Sequence, residues 1–204
     1  MIVKVCGMRE PGNIREVEAL NIDWMGFIFY PKSPRLVKEQ EIAKVTSAKR
    51  VGVFVDASVE TMMETATTLA LDYLQLHGNE SPDDCHTLQK RGYAVIKAIS
   101  ISSAEDVERT KEYEGRVDYF LFDTKCNGYG GSGQLFDWDI LSAYKGSTPF
   151  LLSGGINPGS AEAILRFHHP QFAGIDLNSG FETEPGLKDV ERLRSFLTQI
   201  NHNL

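Results

Sequence analysis

A chain of 204 residues with 42% hydrophobic content can bury one sizeable core, so a single domain over 1–204 is expected. The net charge of −7 argues against a nucleic-acid or anionic-membrane surface, both of which need clustered Lys and Arg, and leaves a small molecule as the expected partner. No apolar run reaches bilayer length, the N-terminus enters IVKVC without a leader pattern, and Cys6, Cys85 and Cys126 are too few and too scattered for a disulfide framework, so a cytoplasmic protein with free thiols is expected.

In chain order, short apolar runs fall at 2–6 (IVKVC), 24–29 (WMGFIF), 50–55 (RVGVFV), 73–76 (YLQL), 94–98 (AVIKA), 119–122 (YFLF), 150–153 (FLLS) and 174–177 (GIDL). Amphipathic stretches at 13–20, 38–46, 58–69, 81–91, 103–113, 138–144, 160–167 and 189–198 separate and follow them. Ser58, Ser81 before Pro82, and Ser103 with Asp106 three residues on read as helix N-caps. Strands that are apolar on both faces and alternate with helices imply a parallel sheet. Eight of them favour closure into a (β/α)8 TIM barrel of eight parallel strands with short loops. The alternative is an open doubly wound sheet, weakened by the lack of a G-x-G-x-x-G after the first run.

In a parallel barrel the chemistry sits at the C-terminal strand tips. The tips here present Cys6 and Gly7, the loop YPKSPR with Arg35, Asp56, His77 and Gly78, Lys97 and Ser100, Asp123, Ser153 with Gly154 and Gly155, and Asp176 with Asn178, Ser179 and Gly180. The two glycine turns after strands seven and eight can aim backbone N–H groups at one phosphate, which makes Gly154, Gly155, Asn178, Ser179 and Gly180 the expected phosphate site. Cys6 is either an inert buried thiol or a proton acceptor drawn toward thiolate by nearby cations or a helix N-terminus. Asp123, across the mouth from Cys6, could serve with it in proton shuttling. Arg35 offers a rigid fork for a carboxylate or is a solvated surface residue, and Asp176 is grouped with it as substrate-binding. Gly128, Gly130, Gly131, Ser132 and Gly133 follow Asp123 and suggest a lid that closes over the substrate. No pair of histidines has ligand spacing, so no metal is expected.

These residues together resemble the phosphoribosylanthranilate isomerases of tryptophan biosynthesis. The resemblance rests on KVCGM (4–8), GFIFYPKSPR (26–35), VGVFVD (51–56), LQLHGNE (74–80), FDT (122–124), YGGSGQLFDW (129–138), LSGGI (152–156) and GIDLNSGFE (174–182). It implies a cofactor-free Amadori rearrangement of a phosphoribosyl aminoaldose to a ketose, with Asp123 as general acid, Cys6 as general base and Arg35 facing the anthranilate carboxylate. The chain departs from the family where a DVSSG-like segment is expected after strand eight and Asp176-Leu177-Asn178-Ser179-Gly180 stands instead, with no hydroxyl at 178. Other sugar-phosphate enzymes on the same barrel remain alternatives, an aldolase with Lys97 as Schiff-base lysine among them, as does a non-catalytic anion-binding barrel.

Overall fold

The computed structural model describes residues 1–38, 42, 47–124 and 138–201. Eight parallel strands, β1 (Ile2–Val5), β2 (Trp24–Ile28), β3 (Lys49–Phe54), β4 (Tyr73–Leu76), β5 (Ala94–Ile101), β6 (Tyr119–Thr124), β7 (Phe150–Ser153) and β8 (Phe172–Leu177), form a closed barrel in sequential order. β8 returns to β1 in a register that runs from Ile2↔Gly174 to Val5↔Leu177. The expected barrel is therefore the observed one. Among the described residues the connections carry α1 (Pro11–Glu18), α2 (Val59–Leu69), α3 (Pro82–Lys90), α4 (Ala104–Glu108) and α5 (Ala161–Arg166), and α6 (Val190–Asn201) follows β8.

Local chemistry starts the helices where the caps were expected. The Ser58 side chain accepts the Thr61 N–H, Ser81 and Asp84 form a reciprocal capping box, and the Ser103 N–H donates to Asp106. Two connections differ from expectation. The stretch 138–144 is a 3₁₀ helix, Trp138–Ala143, whose buried Trp138 and Leu141 stand three residues apart and so eclipse on one face. The stretch 103–113 splits into α4 and a 3₁₀ turn at Arg109–Glu112. Most of the stretch 38–46 lies outside the described residues. An unanticipated antiparallel hairpin, β9 (Glu182–Glu184) and β10 (Leu187–Lys188), follows β8, and Asn13 of α1 ties it down by accepting the Lys188 N–H and donating to the Lys188 carbonyl.

The period of two along each strand divides the core. Inward-facing Trp24, Val51, Ile96, Ala98, Leu121 and Leu151 fill the barrel, and Trp24 stacks on Tyr73 with ring centroids 4.4 Å apart. Outward-facing Val5, Phe27, Phe54, Phe120, Phe122 and Phe150 pack under the helices in a larger cluster. The filled lower barrel leaves room only at the C-terminal mouth. Among the described residues no helix is long and apolar enough to cross a membrane.

Candidate active site

At that mouth a cavity of about 280 Å³ opens between an apolar wall of Ile28, Tyr30, Val53, Val55 and Ile156 and a polar side formed by Cys6, Gln75, His77, Asp123, Ser153 and Asp176. Ser33, Gly154, Gly155, Asn178 and Ser179 complete the lining. Cys6, Asp123, Asp176 and four of the five expected phosphate-turn residues are thus gathered around one space. Gly180 does not line it. An added Cβ there would lie 2.2 Å from the Ile156 carbonyl, so Gly180 lets the two turns pack together.

Cys6 extends β1 by one residue, its N–H donating to the Leu177 carbonyl at 2.8 Å. Gly26 on β2 makes space for it, since an added Cβ would sit 2.7 Å from Sγ. Two residues earlier on the same face lies Lys4, fully buried, its ammonium 2.8 Å from Asp176 Oδ1. Burial pushes the Cys6 thiol above its ordinary value and Asp176 adds to the rise, against the opposing pull of Lys4 and Lys188. Of these influences desolvation is the largest, and it outweighs the cations. Burial also works against the Lys4 charge, but Asp176 and Cys6 hold its pKa above the ordinary value. Ser153 donates to the other oxygen of Asp176 at 3.2 Å, so this carboxylate is engaged within the barrel as well as facing the cavity.

Asp123 ends β6, and its Oδ2 lies 3.5 Å from Nε2 of His77 at the tip of β4. Gln75, inward-facing on the same strand, hydrogen-bonds His77 Nδ1 at 2.8 Å, so imidazole orientation is set from below. In the turn after β7, Gly154 and Gly155 have φ of 84° and 65°, left-handed values that an L side chain rarely adopts. After β8, Asn178 Oδ1 accepts from the buried ammonium of Lys188 at 2.8 Å, which gives position 178 a partner that a hydroxyl would meet differently. Lys188 also donates to Glu182, at 2.5 Å.

Arg35 is absent from the cavity lining. Its guanidinium forks onto Glu182, with Nε 2.9 Å from Oε1 and Nη2 2.6 Å from Oε2. This fork raises the Arg35 pKa. Burial tends to raise the Glu182 carboxyl, yet Arg35 and Lys188 hold it down at about 2. Burial keeps Lys188 below its ordinary value despite that partner.

Lys97 faces outward from β5 and donates to the Leu76 and Gly78 carbonyls and to Glu80 Oε2 at 3.0 Å, a buried structural cation with no access to the cavity. The aldolase alternative loses its lysine. Asp56 accepts the Asn79 N–H at 2.6 Å and joins the β3 and β4 loops rather than the site. Cys85, buried in α3, has its thiol pushed up to about 12 by burial and packs in the core. The expected lid, Gly130, Gly131, Ser132 and Gly133, lies outside the described residues, as does Cys126. Among the described residues no cluster of three His, Cys, Asp or Glu side chains could hold a metal.

Lys4, Gln75, His77, Glu182 and Lys188 join or support the site beyond the residues expected to form it. The signal for the first three is the strand period: Lys4 is two residues from Cys6, and Gln75 is two from His77. Glu182 and Lys188 carry no such signal.

A closed eight-stranded parallel barrel with its ionisable and glycine-turn residues collected at the strand C-termini defines a (β/α)8-barrel enzyme. A sequence model of N-(5'-phosphoribosyl)anthranilate (PRA) isomerase matches residues 3–199, and the chain belongs to that family. Relatives bearing the name N-(5'-phosphoribosyl)anthranilate isomerase include one from Parabacteroides distasonis, 67% identical over 99% of this chain and 94% of its own length, and one from Phocaeicola vulgatus, 52% identical over the whole of both. The crystal structure of phosphoribosyl anthranilate isomerase from Thermotoga maritima superposes with a TM-score of 0.86 at 32% identity, covering 99% of this chain and 100% of that one. A phosphoribosyl anthranilate isomerase in complex with reduced 1-(o-carboxyphenylamino)-1-deoxyribulose 5-phosphate gives 0.83 at 29% identity, covering 99% and 100%.

Proposed function

We propose that the chain converts N-(5'-phosphoribosyl)anthranilate to 1-(2-carboxyphenylamino)-1-deoxyribulose 5-phosphate in tryptophan biosynthesis, by general acid and base proton transfer. The observation that carries this reading is the meeting of Cys6, Asp123 and the two turns at Gly154–Gly155 and Asn178–Ser179 around one cavity with an apolar wall. The ligand of the related complex supplies matching chemistry: a sugar phosphate for the turns and an aromatic ring for Ile28, Val53, Val55 and Ile156.

In this mechanism the Asp123 carboxyl gives a proton to the furanose ring oxygen while the C1′–O bond breaks and the anilino nitrogen lone pair forms the C1′=N iminium. Cys6 as thiolate then takes the proton from C2′. The C–H electron pair becomes the C1′=C2′ bond of an enolamine and neutralises the iminium, and protonation at C1′ with loss of the enol proton gives the ketone. His77, held by Gln75, orients Asp123 and stabilises its carboxylate once the proton has left. Backbone N–H groups of the two turns hold the phosphate, and the Lys188 ammonium behind Asn178 adds a positive charge to that side. Arg35 receives the anthranilate carboxylate from the rim, with Glu182 holding its fork, and Asp176 meets the sugar from the floor. A phosphosugar intermediate of amino-acid synthesis fits a cytoplasmic protein.

The test is turnover by the purified chain. Loss of the substrate's anthranilate fluorescence together with a product of equal mass and ketose structure by NMR is expected; unchanged substrate with enzyme that is folded by circular dichroism would refute the proposal.

A further inference from the structure

We propose that Lys4 is a positioning residue for this reaction: its ammonium, fixed by Asp176 at the barrel floor, is the counter-ion on which the Cys6 thiolate forms. The inference rests on Cys6 acting as the base, as above. It begins with the strand period, which puts Lys4 and Cys6 on the same inward face of β1. Lys4 is entirely shielded from solvent, at 0% exposure, where a lone ammonium would be strongly disfavoured. The partner across the β1–β8 ladder, Asp176, is in direct register with it and contacts it at 2.8 Å. That pair alone would be a neutral barrel filler. Cys6, however, is the next residue on that inward face, one step nearer the mouth where it lines the cavity, and its thiol is subject to the charge of the ammonium.

The charges facing Cys6 give the second observation. β1 contributes Lys4, β8 contributes Asp176, and the hairpin contributes Lys188. Arg35 interacts with the sulfur from the loop after β2, and Glu182 is shared by Arg35 and Lys188. Asp123 and His77 face the same cavity from β6 and β4. Setting that last pair aside, three cations meet two carboxylates, and a thiolate at Cys6 brings the group to neutrality. Lys4 and Lys188 are both shielded from solvent, and of the two Lys4 pulls harder on the thiol. Desolvation raises the thiol and the Lys4 ammonium opposes that rise, which favours the thiolate that the reaction needs.

The experiment measures the thiol directly, with the full-length protein and no substrate. Iodoacetamide is reacted with wild type, Lys4→Gln and Asp176→Asn across pH, and modification of Cys6 is quantified by peptide mass spectrometry, which separates it from Cys85 and Cys126. Glutamine keeps an N–H donor on a side chain one atom shorter and removes the charge. The midpoint of Cys6 modification is expected to move up by at least one pH unit in Lys4→Gln, and down in Asp176→Asn, where the opposing carboxylate is gone. In parallel, kcat of Lys4→Gln is expected to fall roughly tenfold or more at neutral pH, in line with one pKa unit, and to recover as pH rises, with KM nearly unchanged; Lys4→Arg restores the wild-type profile. A Lys4→Gln midpoint that stays put or falls overturns the inference, as does an activity loss equal at every pH. Should Lys4→Gln fail to fold, Asp176→Asn decides alone, and an unmoved or raised midpoint there overturns it. Because alkylation needs no turnover, an inactive wild type would refute the isomerase reading without touching this result.

Discussion

An added methyl at Gly26 would sit 2.7 Å from Cys6 Sγ and 3.0 Å from Cys6 Cα, distances that carbon atoms do not tolerate. Cys6 cannot yield easily, because it is buried and anchored through its N–H to the Leu177 carbonyl. Gly26→Ala is therefore expected to destabilise the fold by about 1–3 kcal/mol, the usual cost of overpacking, and to lower kcat disproportionately because the base is displaced from its place beside the cavity. A thermal melt and steady-state turnover on the same preparation check this. Wild-type kcat in a destabilised Gly26→Ala protein would mean that the position of Cys6 does not limit the rate. The same residues show what one sequence can and cannot disclose. Cys6 at a strand tip and Lys4 two residues before it are both legible from the period of two, but the net effect on the thiol depends on depth of burial, which strand pattern does not measure.

At the scale of elements, the β9–β10 hairpin is the part that sequence pattern misses and the site depends on. Its strands are three and two residues long, too short for alternation to register, and the side chains that anchor it come from α1, through Asn13, and from the loop after β2, through Arg35. The hairpin places Glu182 between Arg35 on the rim and Lys188 beneath Asn178, so that one carboxylate holds both anion-facing sides of the mouth. Its pKa, held at about 2 against an ordinary 4.5, has a definite sign for stability. A depressed carboxyl contributes stability that is complete above 4.5 and is lost as pH falls toward 2, because the unfolded chain takes up a proton before the folded one does. Denaturant unfolding of wild type and Glu182→Gln is expected to show the variant less stable by a constant amount above that window and the gap narrowing within it. A gap that fails to narrow would mean the carboxyl is not held by Arg35 and Lys188. The helices, by contrast, follow from local chemistry: Ser58 accepts the Thr61 N–H, Ser81 exchanges hydrogen bonds with Asp84, and Ser103 donates its N–H to Asp106. A 3₁₀ turn takes the place of expected α-helix at Trp138–Ala143, where buried Trp138 and Leu141 stand three apart, and of the end of one at Arg109–Glu112.

For the whole molecule, a net charge of −7 coexists with a mouth whose buried and half-buried cations, Lys4, Arg35 and Lys188, face inward. An anionic substrate responds to that local field rather than to the sum. The barrel was legible because each strand has an apolar face on both sides of the sheet, one for the interior cluster around Trp24 and one for the outer cluster under the helices. Strand tips followed from the barrel, and Cys6, Asp123 and the glycine turns followed from the tips. What was not legible required contacts between distant residues: the fork of Arg35 on Glu182, the support of Asn178 by Lys188, and the outward turn of Lys97 onto Glu80. The central claim is that this barrel uses Asp123 as acid and Cys6 as base. Its most direct measurement is kcat on N-(5'-phosphoribosyl)anthranilate for Cys6→Ser and Asp123→Asn beside wild type, with inorganic phosphate binding as the control. Each variant is expected to lose a factor of roughly 10²–10⁴ in kcat, the range for positioned proton transfer, while phosphate binding is retained. Turnover near the wild-type rate in either variant would contradict the account for that residue.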